Sequence, residues 1–526
     1  MTNPAMIDTI FDMNERHFLR LSLLLIISFF WFSKPIELIW DDQLLIGLNP
    51  WTSHLHSIRK IWLWDLWHQI PGEHADHWYR PIMALHLILD QQLFGDHLLP
   101  RQLCSLVWFL GLCHLVWKYL ERWQLPAQHR QLGFALFLFH PFQLELIHFL
   151  AARNDTMVFF FSLSAIFARS KWATVSFLLL ALLSKESALI IIPLLLFGEF
   201  LRGGNWKISA LMFGLMTLAY LSWKQYLGLP AYFPESDALL PLISTILKNI
   251  CFPWDAATAG FAIPQTSLFL GLFSLFVLGI QPMMQRNDLY IFALIFILIT
   301  IILAALAAAS SHSLSYRYTT LPLFGLTLLL SNLRLSAVSR KKHQIIAILF
   351  GGFILTGFIA THSQWKDSRS LWSLAHERTP SSHTACGLFM QSKQEPFIAL
   401  QLLEEATNHP PAQHCCFHAS QYPLDVHSPE RSIELGKKSL RQGCLRSPEL
   451  MAPLALSEAL LGNWIDARAI AQQLQKDPYG YSPLILTAEG LRREDTTALD
   501  YWSQNNPAAR EQLRTKAEQL IQMGRP

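Results

Sequence analysis

Residues 1–361 carry one apolar run after another, each close to the length that crosses a bilayer, and residues 362–526 carry none. A span needs about 20 predominantly apolar residues, and shorter ones serve inside a bundle. The candidate spans are 18–33, 101–120, 130–142, 155–168, 172–184, 186–201, 208–226, 267–284, 288–308, 318–332 and 344–361. Charge divides the same way, with 44 Asp, Glu, Lys and Arg residues in 1–361 and 35 in the much shorter 362–526. These patterns exclude a soluble enzyme and a disordered chain. A formal charge of +3, scattered along the sequence, excludes a basic nucleic-acid binder. The expected fold class is all-α: a polytopic membrane bundle of about eleven spans at 1–361, then a water-soluble helical domain at 362–526. Residues 18–33 follow Arg16 and Arg20 as a signal peptide would, but no small-residue cleavage pattern comes after them. They read as a retained first helix.

Basic residues orient the bundle, because Lys and Arg concentrate in cytoplasmic connections. One alternating set of short connections holds Arg16, Arg20, Lys118, Arg122, Arg130, Arg169, Lys171, Arg202, Lys207, Arg286, Arg334, Arg340, Lys341 and Lys342. The other set is longer in total and has ten basic residues before 362. The N-terminus is therefore expected inside, with the loop 34–100 and the whole tail outside. That loop holds Trp40, Trp51, Trp62, Trp64, Trp67 and Trp78. Amphipathic rings of this kind favour the membrane boundary. One or two helices are expected along the outer surface there, with 81–94 dipping into it.

Ionisable groups near membrane depth are costly unless paired or hydrated, which makes each a functional candidate. In chain order they are Trp40-Asp41-Asp42, Tyr79-Arg80-Pro81, His140-Pro141 with Glu145, Arg153 with Asp155, Ser184-Lys185-Glu186, and His312 with Tyr316-Arg317-Tyr318. All fall on the outer face in the topology above. Carboxylates and cations opening onto an apolar bundle suit a lipid-linked phosphate. Plainer readings stand beside this one. Asp41-Asp42 could cap a helix end, Arg80 could snorkel, Pro141 could simply end a helix, and Lys185-Glu186 could be a hydrated turn. Arg153 and Asp155 are two apart and do not share a helical face. His86, His114 and His148 read as packed neutral histidines. No spacing resembles a zinc site, and no glycine-rich phosphate loop is present.

Taken together, Trp40-Asp41-Asp42, Tyr79-Arg80-Pro81 with the later Phe94-Gly95, His140-Pro141-x-x-x-Glu145, Arg153-Asn154-Asp155 and Leu183-Ser184-Lys185-Glu186 resemble a family pattern. It is that of the transmembrane-and-tetratricopeptide-repeat O-mannosyltransferases and their bacterial relatives in the C-type glycosyltransferase superfamily (GT-C). The resemblance covers about residues 18–330. It implies a membrane-embedded, inverting sugar transferase that uses a polyprenyl-phosphate sugar on the extracytoplasmic side, with an acceptor that is a protein, a glycan or a lipid. It also implies that the acidic pair, here Asp41 and Asp42, is catalytic. Bacterial inner membrane is the expected location, with the tail in the periplasm. The chain departs from the family after residue 360, where no clean 34-residue repeat is visible, and around Arg317.

In that scheme a carboxylate of Asp41 or Asp42 takes the proton of the attacking acceptor while polyprenyl phosphate leaves from the opposite face. Arg80, Arg153, Lys185 and Arg317 are the candidate donor-phosphate ligands. Glu145, Asp155 and Glu186 would orient them or the acceptor, with Tyr79 and His140 supporting. Adjacent side chains on an extended segment point to opposite sides, so one aspartate is expected to be the base, with Asp41 preferred. No cofactor is required, although a divalent ion bridging the carboxylates fits as well. Two other function classes stay open: a membrane transporter, or a non-catalytic scaffold whose tail recruits partners.

The tail shows a helix at 454–461, a turn at Gly462-Asn463 and a second helix through Ala467 and Ala471, a tetratricopeptide-like pair. Stretches 394–408 and 428–442 are further candidate helices. Cys386, Cys415, Cys416 and Cys444 lie here. A bridge between neighbours 415 and 416 would be strained, so each is expected to pair with Cys386 or Cys444. Cys104, Cys113 and Cys251 are expected to stay reduced.

Overall fold

The computed structural model describes residues 15–39, 41–47, 49, 51–66, 78–204, 206–229, 243, 246, 288–310, 315–331, 352, 356–357, 361–378, 382–407, 413–416, 418–444, 446–474, 480–503 and 507–523. Among the described residues every regular element is helical and no strand occurs. The chain divides into two compact units, Met1–Leu374 and Ala375–Pro526.

The first unit is built from α1 (Glu15–Ser33), α2 (Pro81–Phe94), α3 (Leu98–Arg122), α4 (Ala127–Phe139), α5 (Gln143–His148), α6 (Arg153–Phe167), α7 (Lys171–Ser184), α8 (Ala188–Leu201), α9 (Lys207–Tyr226), α10 (Asp288–Ser310) and α11 (Thr320–Ser331). Candidate span 267–284 lies outside the described residues, as does nearly all of 344–361. The remaining candidates coincide with helices. Among the described residues three are long and apolar enough to cross a membrane: Glu15–Ser33, Leu98–Arg122 and Asp288–Leu306. Lys171–Ser184 and Ala188–Leu201 are apolar but shorter.

Local chemistry sets the helix breaks that lie beside the charged residues. Pro81 opens α2, where a missing N–H leaves no helical bond unmade. Gly95 closes it at φ +54, a left-handed conformation that a Cβ would strain. Helix α4 stops at Phe139, two residues before Pro141. Lys185, at φ −164 and ψ 147, is the extended residue that separates α7 from α8.

Aromatic packing holds the centre of this unit. The Phe324 ring lies 5.0 Å from Phe159 and 5.2 Å from Phe296, centroid to centroid. Helices α4 and α11 approach closely at Gly133, where an added Cβ would sit 2.7 Å from the Thr327 carbonyl oxygen. Helix α2 packs on α3 and α7 and buries Met83, Leu87, Ile88 and Asp90, leaving Leu89 and Leu93 exposed. Trp40 and Trp67 of the tryptophan-rich loop lie outside the described residues. His148 is buried against Phe30 and shares a 2.7 Å hydrogen bond with Ser33, and burial pushes its imidazole down to about 3. His114, expected to be packed, is instead exposed on the outside of α3, because the opposite face of that helix supplies the contacts.

In the second unit, helices Pro396–Ala406 and Pro429–Arg441 occupy the stretches expected to be helical. Helices Pro448–Leu460 and Trp464–Gln473 form the expected pair about Gly462, whose φ is +82. Tyr481–Arg492, Thr497–Ser503 and Pro507–Met523 follow. One apolar cluster surrounds Phe389, Leu403, Leu435 and Leu450; a second surrounds Trp464, Ile485 and Leu520. Cys386 is bonded to Cys415 and Cys416 to Cys444, each pair with Cα atoms 5.8 Å apart. Cys104 and Cys113 are free thiols, and Cys251 lies outside the described residues. The bonds join residues 29 and 28 apart in sequence. On the chain-entropy account, loops of that size are worth roughly 3–4 kcal/mol each. Replacing Cys416 and Cys444 together by Ser is therefore expected to speed tryptic cleavage within 380–450 of the full-length protein at least tenfold. Unchanged cleavage would mean that packing alone holds this unit.

Candidate functional site

Asp41 and Asp42 begin a short helical turn directly after the segment that leaves α1. The segment is thus helical, not extended as the sequence reading has it, but successive side chains still diverge by about 100° around a helix. Asp42 is fully buried, and its two oxygens accept the backbone N–H groups of Leu150 (2.8 Å) and Ala151 (2.7 Å). Burial pushes its carboxyl up to about 8, against the pull of those two donors. It acts as an anchor for the 3₁₀ turn Leu150–Ala152, which launches α6. Asp41 turns the other way, remains 25% exposed and stands 4.0 Å from the Arg317 guanidinium.

Arg317 lies in the 3₁₀ turn Tyr316–Thr319 that leads into α11. Its Nε is 3.8 Å from Asp155, and its guanidinium lies 4.9 Å from the centroid of the Phe149 ring. Asp155, in the first turn of α6, also accepts a hydrogen bond from Lys185 Nζ. That ammonium sits 5.5 Å over the Tyr318 ring. Burial pushes Lys185 down to about 8; Asp155 opposes the shift, while Arg80 and Arg317 reinforce it. Asp41, Asp155, Lys185 and Arg317 thus meet in one partly exposed, charge-balanced cluster although they come from four separated stretches. Next to it Arg80 pairs with Glu186 at 3.1 Å and covers the Trp78 ring.

The other sequence-predicted residues lie outside this cluster. Glu145 is fully buried; it accepts the Tyr316 N–H at 2.8 Å and the Ser315 hydroxyl, and so fixes the turn that carries Arg317. The Phe142 and Tyr316 rings stack 4.0 Å apart at the same point. His140 is buried, and its Nδ1 accepts the Phe142 N–H. Tyr79 Oη donates to the Trp62 carbonyl at 3.0 Å and accepts from Trp223 Nε1 at 2.9 Å, tying the first long loop to α9. His312 lies outside the described residues.

Arg153 stands apart from the cluster. The sequence reading makes it a phosphate ligand, but it is 0% exposed and its donors are occupied. Its guanidinium donates to Asp90 (2.6 Å), Ser105 (3.1 Å) and the Arg101 carbonyl (2.8 Å), and shares a 2.7 Å contact with His86 Nδ1. Asp90 was missed altogether, although a lone acid four residues after His86 within the apolar run 81–94 was a readable signal. Ser315 and the Phe149 ring carried no such signal, since their roles exist only through their neighbours.

Among the described residues no group of three or more His, Cys, Asp or Glu side chains stands close enough to hold a metal ion. No protein-family model, curated protein or solved structure matches the chain.

Proposed function

We propose that the chain is a membrane glycosyltransferase of the GT-C kind. It moves a sugar from a polyprenyl-phosphate carrier to an acceptor on the extracytoplasmic side by inverting displacement. The observation that carries this reading is the convergence of Asp41, Asp155, Lys185 and Arg317. One carboxylate stands within reach of two cations, at the ends of apolar helices where a lipid chain can lie. The three membrane-length helices and the disulfide-bonded tail agree with a bundle whose tail faces an oxidising compartment.

Each group has a task in the displacement. Asp41 accepts the proton of the acceptor hydroxyl or amine as that atom bonds to the anomeric carbon. The bond from the anomeric carbon to phosphate oxygen breaks on the opposite face, and its electron pair stays with the phosphate. Arg317 and Lys185 stabilise the charge released there, in surroundings drier than bulk water. Asp155 holds both cations in place. Asp42 and Glu145 position the turns that bear these groups, and Arg80, paired with Glu186, lines the approach.

The test is incubation of the purified protein with radiolabelled polyprenyl-phosphate sugars and membrane fractions, followed by a search for label in protein, glycan and lipid. Transfer to none of them from any sugar would overturn the reading. The same assay reads pH. Lys185 must stay charged to hold phosphate, and its charge is lost as pH rises through about 8. Transfer is expected to fall above that pH in the native protein, and the fall is expected to move beyond pH 9.5 or vanish in Lys185→Arg. An alkaline limb identical in both proteins would remove Lys185 from the phosphate site.

A further inference from the structure

Between the turn after Asp42 and the corner joining α2 to α3 lies a cleft of about 270 Å³. Asn49, Gln91, Asp96 and Arg101 line it, with Ile46 and Leu98 as its apolar wall. It shares no lining residue with the Asp41–Arg317 cluster. Two of its polar residues are almost wholly buried, Asn49 at 3% and Arg101 at 2% exposure. Each carries a donor with no hydrogen-bond partner: Asn49 Nδ2 and Arg101 Nε. In each case one other polar atom of the side chain is engaged. Asn49 Oδ1 accepts the Trp51 N–H at 3.2 Å, and Arg101 donates to Gln91 Oε1 and the Gly95 carbonyl. Buried donors are nearly always matched by acceptors, so two unmatched ones beside a cavity call for oxygen atoms inside it.

We propose that this cleft is a second sugar-binding subsite, taking one neutral pyranose ring. Asp96 lines the same space, so a free anion attracted by Arg101 would be opposed by the carboxylate. A neutral polyol satisfies both, since its hydroxyls accept from Asn49 and Arg101 and donate to Asp96. Ile46 and Leu98 offer an apolar wall for the C–H face of the ring. The volume falls just below the roughly 300–1,000 Å³ of pockets that enclose drug-sized ligands, which suits a single ring. The choice of a sugar over another polyol rests on the transferase reading. The cleft is also wired to the cluster: the Arg101 carbonyl accepts from Arg153, which follows the turn anchored by Asp42.

Saturation-transfer NMR on the full-length protein in nanodiscs tests this, with glucose, mannose, galactose, rhamnose and N-acetylglucosamine as separate probes. At least one is expected to bind saturably. Asn49→Asp removes the unmatched donor and keeps the oxygen that accepts from Trp51, and Leu98→Trp fills the cavity without touching a polar atom. Each is expected to weaken binding about tenfold or more, while Arg514→Gln, on the exposed face of the last helix of the tail, leaves it unchanged. Absence of binding by all five sugars, binding that survives both variants, or displacement of the sugar by an equal concentration of inorganic phosphate would overturn the proposal. Binding that persists in a protein without transfer activity would uphold this subsite and count against the transferase reading alone.

Discussion

Asp41→Asn is expected to lower sugar transfer by roughly 10²–10⁴-fold, the usual cost of losing a general base, with abundance and melting temperature unchanged. The side chain is partly exposed and its contact with Arg317 is long, at 4.0 Å. A pair that long and still partly open to water contributes about 1 kcal/mol or less. Asp42→Asn is expected to behave in the opposite way. An amide there keeps one acceptor but turns its NH₂ toward a backbone N–H of Leu150 or Ala151. A mismatch buried at that depth costs about 1–3 kcal/mol, so melting temperature falls and activity falls with it, through misplacement of α6. Transfer assays and thermal melts on the two purified variants separate these outcomes. Near-normal turnover in Asp41→Asn would remove the proposed base.

Arg153→Met is expected to be the most destabilising single change in the first unit. It leaves Asp90, 3% exposed, without its 2.6 Å guanidinium partner. Breaking a buried pair from one side typically costs about 3–5 kcal/mol. The double variant Arg153→Met with Asp90→Leu is expected to recover much of that loss, because it also removes the buried carboxylate, to which only the His86 contact at 3.3 Å would remain. Melting temperatures of the two single variants, the double variant and the native protein complete the cycle. If Arg153→Met abolished transfer at unchanged melting temperature, Arg153 would belong to the donor site after all.

The two expectations differ because neighbouring residues were divided between different tasks. Arg153 and Asp155 read in sequence as one motif, yet the start of α6 sends one into the packed interior between α2 and α3 and the other toward Lys185. Asp41 and Asp42 divide in the same way. The rule that residues one or two apart on a helix do not share a face already implied that such pairs separate. It did not say which member enters the core, since that depends on what α2, α3 and the Tyr316–Thr319 turn place opposite. The tail was more readable: the helix pair about Gly462 followed from local pattern, and the strain of a vicinal bridge left two pairings, between which the fold chose Cys386–Cys415 with Cys416–Cys444.

Local sequence was enough for the helical class and for most of the helix positions among the described residues of the first 361, and it pointed to most of the charged groups that meet, because apolar periodicity and the cost of burying charge act on short windows of chain. Which of those charges face one another was decided by packing alone. Glu145 reaches Ser315 across 170 positions and Asp42 reaches Ala151 across 109, and no local preference encodes a contact at that separation. The distinction between the partly exposed Asp41 and the buried, anchoring Asp42 is likewise a difference in burial and partners, which exists only after the helices have come together.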